Sequence, residues 1–195
     1  MIRRVIFIRH GETTGDVEGR FGGTYDDALS VTGERQVAAL VEELAGAGIG
    51  RVLSSPLQRA RQTAEALAQR VGCPVEVREN LRERNQYGAL SGMVKAEAAA
   101  RFPAEVAALK DRLFTMPGAE SYGDFVTRVR EEIQRVIDGK DDCVAVVWHG
   151  GGMRVLFREI LQLGELREVG DCAWVEVVIS GAAKDVGKML RMERE

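Results

Sequence analysis

A single apolar run between residues 143 and 148 (CVAVVW) constrains the fold more than any other part of the chain. A continuous run of this kind, apolar on both faces, is typical of a central strand in a parallel sheet that is covered on both sides. His149 and three glycines follow it directly. Because ligands of such sheets bind beyond the carboxyl ends of the strands, the run predicts an α/β fold and the position of a ligand site.

Strand-like and helix-like segments alternate along most of the remaining sequence. The predicted strands cover residues 5–8, 51–54, 75–77, 174–179 and 188–192. The predicted helices are one with Thr32 as N-cap, one from Ser55-Pro56 to about Val71, and four over 94–101, 104–114, 122–137 and 153–163. This alternation predicts a three-layer α/β sandwich with a mostly parallel central sheet. We interpret residues 1–195 as one domain with a helical cap inserted at about 79–118.

Length and composition narrow the class of protein. The 195 residues suffice for a domain with a substantial core, and the net charge of -3 gives no electrostatic reason to expect a nucleic-acid partner. None of the three cysteines lies in a C-x-x-C pair, which argues against a zinc ribbon or a redox pair, and their odd number argues against a disulfide framework. No apolar stretch approaches the length of a membrane span, so we expect a cytoplasmic protein without a membrane partner. The oligomeric state stays open, with a homodimer as one option.

The chain has only two histidines, and both lie at the same kind of position. His10 follows the first predicted strand, His149 follows the run 143–148, and a glycine comes after each of them. One such histidine is as easily a core residue bonded to a backbone carbonyl as a functional one, but two at strand ends favour a shared site. A neutral imidazole can attack phosphorus and form a covalent phospho-enzyme.

Phosphoryl transfer needs positive charge around the phosphoryl oxygens and an acid for the leaving oxygen. Arg9 adjoins His10, and Arg59 lies in the first turn of the helix predicted from Pro56, whose N-terminal N–H groups also attract anions. The glycines after His149 allow a close approach of the backbone to a ligand. The nearby acid candidates are Glu12, Glu79 and Glu83.

Five blocks of the sequence resemble the histidine phosphatase superfamily, which includes cofactor-dependent phosphoglycerate mutases and many phosphatases. The first block, residues 9–13 (RHGET), is similar to the signature of that family. The others follow in the family's order: 54–64 (SSPLQRARQTA), 81–92 with LRER and YGALSG, 120–122 (ESY), and 149–151 (HGG) with Arg154. An isolated RHG is a weak signal, whereas this ordered set spans nearly the whole chain.

The resemblance implies a role for each candidate site residue. His10 is then the nucleophile, and Arg9, Arg59 and His149 hold the phosphoryl group. Glu83 donates a proton to the leaving group and then helps to activate water. The other implied contacts are Gly150 for the phosphoryl group and Asp16, Gly22 and Gly23 for the substrate. No metal and no other cofactor is implied, because arginine and histidine supply the charge that a metal would bring.

One position departs from the family pattern, since many relatives carry asparagine where this chain has Asp16. A carboxylate there repels a phosphate dianion by roughly 4 kcal/mol at 4 Å and an effective dielectric of 20, before any compensation by arginine. We therefore favour an Asp16 that turns away and orients Arg9 or Arg59. The alternatives are that Asp16 is protonated when phosphate binds, or that the site works poorly on simple phosphomonoesters.

Other residues in or near these blocks are predicted to have no direct part in the chemistry. Arg61 lies on a different side of its helix from Arg59, which indicates a structural or surface arginine. Arg84 beside Glu83 is a candidate for binding a substrate anion, but a surface ion pair is favoured. Core packing is predicted for Trp148, and solvated positions are predicted for the loop carboxylates Glu18, Asp26 and Asp27.

The residues together predict a phosphomonoester hydrolase that acts on a small phosphorylated metabolite through a phosphohistidine. A phosphoglycerate mutase shares the first half-reaction, and mutase-like features occur at residues 20–26 and 83–100. The segment 119–129 and the HGG block instead resemble phosphatases, which we favour. A third alternative is a catalytically silent protein that binds a phosphorylated ligand. The cap at about 79–118 is expected to set the substrate, and its basic residues are Arg82, Arg84, Lys95 and Arg101.

Overall fold

In the computed structural model, which describes residues 2–181 and 183–194, six strands form one mixed sheet. The strands are β1 Ile2–Arg9, β2 Arg51–Ser54, β3 Val75–Val77, β4 Cys143–Trp148, β5 Leu166–Ser180 and β6 Ala183–Arg194. Their order across the sheet is β3-β2-β4-β1-β5-β6. The first four in this order are parallel, whereas β5 is antiparallel to β1 and β6 is antiparallel to β5. The predicted, mostly parallel sheet is confirmed.

Seven α-helices lie among the described residues. They are α1 Thr14–Val17, α2 Val31–Leu44, α3 Gln58–Val71, α4 Lys95–Arg101, α5 Pro103–Ala108, α6 Tyr122–Asp138 and α7 Gly150–Val155. A π-helical segment, Leu156–Ile160, continues α7, and single 3₁₀ turns occupy Glu79–Leu81 and Gly88–Leu90.

The sheet has a hydrophobic layer on each face. Side chains of a strand alternate between the two faces, so Val5 and Phe7 of β1 pack in one cluster with α6, while Ile6 and Ile8 pack in another with α2 and α3. The stripe predicted for α2 is buried in the second cluster (Val37, Leu40, Val41 and Leu44). The three-layer sandwich is therefore confirmed.

Strand β4 lies between β2 and β1, and all six of its residues are buried. Its last residue, Trp148, is in register with Arg9 of β1, and the N–H of His10 donates to the Trp148 carbonyl at 3.1 Å. The two parallel strands consequently end side by side, and they deliver His10 and His149 to the same edge of the sheet. Trp148 is 1% exposed, which confirms its predicted core position.

A third, smaller hydrophobic cluster lies in the predicted cap region. Phe21, Leu90, Ala98 and Met116 form its buried centre. Phe21 comes from the loop after β1, and its N–H donates to the Met93 carbonyl at 2.9 Å. The loop and the segment that follows β3 are thus packed against each other, while the cap limits of 79–118 stay a prediction.

Helix α3 begins later than predicted. Its first residue is Gln58 rather than the Ser55-Pro56 pair. The carboxylate of Asp26 accepts the Gln58 N–H at 2.6 Å, which satisfies one N-terminal donor of the helix. The Ser55 hydroxyl instead lies 2.7 Å from a ring nitrogen of His149. An acceptor 32 residues away in the sequence, Asp26, therefore satisfies the first N–H of the helix.

Two other helix ends also differ from prediction. Ser30, not Thr32, is the N-cap of α2, because its hydroxyl accepts the Gly33 N–H at 2.9 Å. Helix α5 ends at Ala108 rather than at residue 114. There the Asp111 carboxylate accepts the Leu113 N–H at 2.9 Å, a local bond that competes with helix continuation.

The last helix was predicted over residues 153–163, but α7 begins at Gly150 and its π-helical continuation ends at Ile160. The Met153 N–H donates to the His149 carbonyl at 3.1 Å, so the glycines themselves form the first turn. A Cβ at Gly152 would lie 2.5 Å from the Trp148 ring, which requires glycine there. Strands β5 and β6 contain and extend the predicted strands 174–179 and 188–192. Across the described ranges, no helix combines the length and apolarity needed to cross a membrane.

Candidate active site

A cleft of about 380 Å³ opens at the carboxyl ends of β1 and β4, a size typical of small-molecule sites. The predicted site residues that line it are Arg9, His10, Asp16, Gly22, Gly23, Arg59, Glu83 and Gly150. His149 is not among the lining residues, but its ring packs edge-on against that of His10, with ring centroids 5.1 Å apart and an interplanar angle of 60°. The structure thus brings all the predicted site residues into one region.

The ring of His10 is buried and held at both nitrogens. Nδ1 lies 2.8 Å from the Gly11 carbonyl oxygen, which can only accept, so Nδ1 carries the proton. Nε2 accepts from Nε of Arg59 at 3.1 Å and therefore carries the lone pair. Burial, followed by the charges of Arg59 and Arg9, holds the pKa of His10 well below 6.5. His10 is consequently a neutral imidazole at neutral pH, with its basic nitrogen beside a guanidinium.

Arg59 is held by acceptors on the loop after β1. It donates to the carbonyl oxygens of Tyr25 at 2.7 Å and Gly23 at 3.0 Å, and to Oδ1 of Asp27 at 2.8 Å. Asp27 is 6% exposed, and its Oδ2 accepts the N–H of Gly15 at 3.1 Å. The solvated position predicted for Asp27 is therefore wrong, because its partner lies 32 residues away in the sequence. Asp27 is a site residue that the sequence pattern did not reveal.

Arg9 has its own carboxylate partner. It donates to the Val169 carbonyl at 2.5 Å, and its Nη2 lies 3.0 Å from Oδ1 of Asp171. Both acceptors belong to β5, which runs beside β1. Asp171 precedes the predicted strand 174–179 and no motif singled it out, so sequence reasoning missed it.

Asp16 orients neither Arg9 nor Arg59. Its carboxylate accepts the N–H of Thr13 at 3.1 Å, while the Thr13 hydroxyl accepts the N–H of Asp16 at 3.0 Å, a capping box at the start of α1. Asp16 is exposed and still lines the cleft. The expectation that it positions an arginine is wrong, and Asp27 and Asp171 fill that role.

His149 is 1% exposed and is the N-cap residue of α7. Its Nε2 lies 2.7 Å from the Ser55 hydroxyl, whereas its Nδ1 is buried and has no partner in the part of the chain that the structure describes. Burial, followed by the charges of Arg59, His10 and Arg9, keeps the pKa of His149 well below 6.5. Both histidines are therefore neutral near pH 7.

Glu83 is the one acid candidate on the cleft wall. Its Oε2 accepts the N–H of Gly151 at 3.0 Å, and its Oε1 accepts the N–H of Arg84 at 2.7 Å. A Cβ at Gly151 would lie 2.3 Å from Oε1 of Glu83, so the carboxylate sits where only glycine leaves room. Neither Glu12 nor Glu79 lines the cleft.

The segment that carries Glu83 is anchored by an arginine for which the sequence predicted no role, although it lies in the segment 119–129. Arg128 of α6 donates to the carbonyl oxygens of Asn80 at 2.8 Å and Arg82 at 3.0 Å. Its Nε and Nη2 are bound to both carboxylate oxygens of Glu120, at 2.6 and 2.7 Å. This half-buried pair fixes the backbone just before Glu83.

Arg84 contradicts its prediction as a surface ion pair. It is 4% exposed and donates to three backbone carbonyl oxygens, those of Arg112 at 2.7 Å, Glu120 at 3.1 Å and Phe114 at 3.3 Å. The guanidinium thus ties the loop 112–120 to the base of the cleft. Arg61, in contrast, is exposed and lies 3.7 Å from Glu65, as predicted for a surface residue.

The outer part of the cleft is strongly basic. Its lining contains Arg20, Lys95, Arg112, Arg154 and Arg158 in addition to the arginines already described. Three guanidinium groups surround the ring of Tyr122, those of Arg84, Arg112 and Arg158, at 5.6 to 5.8 Å from its centroid. Three carboxylates also line the cleft, Asp16, Asp27 and Glu83, and two outside the lining, Glu18 and Glu165, are paired with Arg20 and Arg158. The cleft therefore suits an anionic ligand.

Comparison with known families agrees with this geometry. A family profile described as histidine phosphatase superfamily (branch 1) matches residues 5–189. The chain belongs to the histidine phosphatase superfamily. The resemblance carried by the five sequence blocks is thereby confirmed.

Relatives within this superfamily include both phosphatases and mutases. A glucosyl-3-phosphoglycerate phosphatase of Mycolicibacterium vanbaalenii is 34% identical over 190 residues, which cover 90% of this chain and 84% of the relative. A 2,3-bisphosphoglycerate-dependent phosphoglycerate mutase of Methylocella silvestris is 34% identical over 168 residues, with 80% of each chain covered. This chain spans only 45% of the length of three mycobacterial relatives to which it is 38% identical.

A solved structure also shares the fold. The mycobacterial glucosyl-3-phosphoglycerate phosphatase in complex with VO3 superposes with a TM-score of 0.81 at 29% identity, covering 99% of this chain and all of that one.

Proposed function

We propose that this chain is a metal-independent phosphatase that hydrolyses a phosphomonoester of a small metabolite through a phosphohistidine at His10. The observation that carries the proposal is the state of His10, whose Nε2 lone pair lies in a basic cleft while Nδ1 is tied to the Gly11 carbonyl. The phosphatase relative in the same superfamily supports the same activity.

In the first half-reaction, Nε2 of His10 attacks phosphorus and the ester P–O bond breaks. Arg9 and Arg59 balance the charge on the phosphoryl oxygens in the transition state. Glu83, as the general acid, donates a proton to the leaving oxygen, so an alcohol departs and a phosphohistidine remains.

In the second half-reaction, water attacks the phosphohistidine. The P–N bond breaks, Glu83 takes a proton from the water, and inorganic phosphate leaves with His10 restored. Asp16, Lys95 and Arg112 on the cleft wall are exposed, so solvent reaches the site. A mutase must hold its phospho-enzyme away from water, and this open wall favours hydrolysis.

The decisive test is turnover of a chromogenic phosphomonoester, together with mapping of the phosphorylated residue after rapid acid-free quenching. We expect activity that His10→Ala abolishes, and a phosphohistidine located at His10. Phosphate found on His149, or full activity of His10→Ala, contradicts the assignment. Tight binding of inorganic phosphate without any turnover supports a silent binding protein instead.

Phosphoglycerate mutase activity is the second candidate, because a mutase is among the relatives. It would appear as exchange between the two phosphoglycerate isomers that depends on a bisphosphate primer. The hydrolase proposal expects release of inorganic phosphate to exceed this exchange.

We further propose that the substrate carries a carboxylate near its phosphate ester. Arg20 is paired with Glu18 and Arg158 with Glu165, but Lys95 and Arg112 have no carboxylate partner among the described residues and add cationic charge beyond Arg9 and Arg59. Phosphoglycerate, named in the phosphatase relative, combines a carboxylate with a phosphate. Phosphoserine and phosphoethanolamine differ only in the carboxylate. We expect kcat/KM to be at least about tenfold higher for phosphoserine, the size of one charge-assisted hydrogen bond. Arg112→Leu should narrow this ratio, and equal values for both esters would contradict the proposal.

Domain organisation, location and partners complete the proposal. We propose a single domain in which the cap at about 79–118 selects the substrate, supported by the basic side chains it places on the cleft. A cytoplasmic location is supported by the free thiols of Cys73, Cys143 and Cys172. We propose neither a nucleic-acid nor a membrane partner, and sedimentation would decide between a monomer and a homodimer.

A further inference from the structure

Ser55 contacts His149 of the proposed site, although Ser55 itself does not line the cleft. It follows the last residue of β2 and is fully buried. Its N–H donates to the Val147 carbonyl of β4 at 3.0 Å, two residues before His149. The backbone of two parallel strands therefore holds the Ser55 hydroxyl and the His149 ring in a fixed relation.

The hydroxyl of Ser55 has two neighbours among the hydrogen bonds of the described residues. It accepts the N–H of Leu57 at 3.3 Å, and it lies 2.7 Å from Nε2 of His149. A hydroxyl has one proton to donate. If Nε2 of His149 carried a proton, the Ser55 oxygen would accept two N–H groups and its own proton would be buried without an acceptor, which is costly. The Ser55 O–H therefore donates to Nε2.

This donation decides the tautomer of His149. A neutral imidazole carries one proton, so an Nε2 that accepts leaves the proton on Nδ1. That Nδ1 is buried and has no partner within residues 2–181 and 183–194. A buried N–H without an acceptor is rare unless a ligand supplies one. The ring of His10, the proposed nucleophile, is 5.1 Å away.

We infer that Ser55 is a positioning residue that holds His149 as the Nδ1–H tautomer, so that His149 donates a hydrogen bond to an oxygen of the phosphoryl group. That the acceptor is a phosphoryl oxygen rests on the proposed phosphatase function. The Nδ1–H tautomer of His149 follows from the hydrogen bonds alone. With the opposite tautomer, a lone pair would face an anionic oxygen. Loss of the Ser55 hydroxyl thus removes a donor from the site without removing any group that touches substrate.

Nitrogen NMR of the full chain labelled with ¹⁵N-histidine measures the tautomer directly. The chain has two histidines, and His10→Gln leaves His149 as the only one, which assigns its signals. We expect Nδ1 of His149 to resonate as a protonated nitrogen and Nε2 as an unprotonated acceptor. A protonated Nε2 in the wild-type chain overturns the inference, and this measurement requires no Ser55 variant to fold.

The variant Ser55→Ala tests whether the Ser55 hydroxyl sets the tautomer of His149, and Ser54→Ala is its matched control. Ser54 is equally buried, but its hydroxyl donates to the Ser55 carbonyl at 2.9 Å and not to His149. In Ser55→Ala we expect the Nε2 signal to move toward the protonated position and kcat to fall about tenfold, the loss of one hydrogen bond to a charged group. Ser54→Ala should keep the wild-type nitrogen shifts. An unchanged tautomer in folded Ser55→Ala contradicts the inference.

Titration with inorganic phosphate separates this inference from the proposed function. We expect phosphate to shift the Nδ1–H signal of His149 in the wild-type chain, with about tenfold weaker binding in Ser55→Ala. A signal that saturating phosphate leaves unchanged overturns the assignment of the acceptor. If no phosphomonoester is turned over but the tautomer and the phosphate shift are as expected, the phosphatase proposal fails and the role of Ser55 stands.

Discussion

At the scale of single residues, the buried pair of Asp27 and Arg59 governs the proposed phosphoryl site. The two side chains are 3% and 4% exposed. Removing one partner of such a pair leaves an uncompensated charge, so we expect Asp27→Asn to lower the free energy of unfolding by about 3 kcal/mol. A displaced Arg59 should also lower kcat/KM at least about tenfold, since it contacts Nε2 of His10. Urea unfolding and steady-state kinetics measure the two effects.

The neighbouring carboxylate provides the control for that experiment. Asp26 is exposed and accepts the N–H of Gln58 at the start of α3. Asparagine also caps helices well, so Asp26→Asn should cost less than about 1 kcal/mol and leave kcat/KM near the wild-type value. Equal losses in the two variants would show that loop integrity, and not the buried ion pair, supports the site.

Asp16→Asn tests the position at which this chain departs from its relatives. Asp16 bonds to the backbone of Thr13 and to neither cleft arginine. An asparagine oxygen can accept the same N–H, and removing the carboxylate relieves repulsion of a phosphate dianion. We expect these effects to leave kcat within a factor of about ten. A larger change in either direction, measured by steady-state kinetics, would mean that Asp16 takes part in the chemistry.

At the scale of secondary-structure elements, the glycines at the start of α7 set the position of Glu83. An alanine Cβ at Gly151 would meet Oε1 of Glu83 at 2.3 Å, so Gly151→Ala must displace the carboxylate. We expect Gly151→Ala to have the same kinetic effect as Glu83→Gln. Both variants should lose much of kcat for alkyl phosphates, whose leaving oxygen needs a proton, and much less for p-nitrophenyl phosphate.

Gly123→Ala on α6 serves as the control, because its nearest contact beyond the helix backbone is an ordinary one, the Ser121 hydroxyl at 3.8 Å. Its kinetics with both ester types should match the wild-type chain. A loss in Gly151→Ala that is equal for both esters would argue against displacement of an acid.

The elements that sequence predicts well are those whose pattern is local. The run 143–148 and the apolar stripe of α2 carry their own periodicity, and both are buried where expected. The start of α3 and the burial of Asp27 depend on partners far away in the sequence, Asp26 and Arg59 respectively, so no local pattern reveals them. The same reason hides Asp171, which meets Arg9 only because β5 pairs with β1.

At the scale of the whole molecule, charge is distributed unevenly. The chain carries a net charge of -3, yet eight of the cleft residues are arginine or lysine and three are aspartate or glutamate. The net charge therefore does not reveal the anion site, which depends on where the cationic side chains lie in the fold. The arginines at its base are themselves held by carboxylates or backbone carbonyls, so the cationic centre keeps its geometry before any ligand binds.

The free energy of unfolding of the whole chain should fall with pH because of the two buried histidines. Burial and the nearby arginines lower the pKa of both His10 and His149 well below 6.5. Between those lowered values and 6.5, the unfolded chain binds more protons than the folded chain, so the free energy of unfolding rises with pH in this window. Acidification below 6.5 should therefore destabilise the protein by up to about 1.4 kcal/mol per pH unit for each histidine.

Urea unfolding at several pH values from 7 to 5 measures that slope. Among the other groups with resolved pKa shifts, Glu42 and Glu165 have pKa values lowered from 4.5 and titrate below this window. Burial raises the pKa of Asp171 from 3.8, which opposes the slope from the histidines, but this contribution is common to the wild-type chain and to His10→Gln. His10→Gln removes one of the two contributions and should reduce the slope by about half. An unchanged slope in that variant would show that His10 is not held neutral by the fold, and the neutral nucleophile of the proposed mechanism would lose its physical basis.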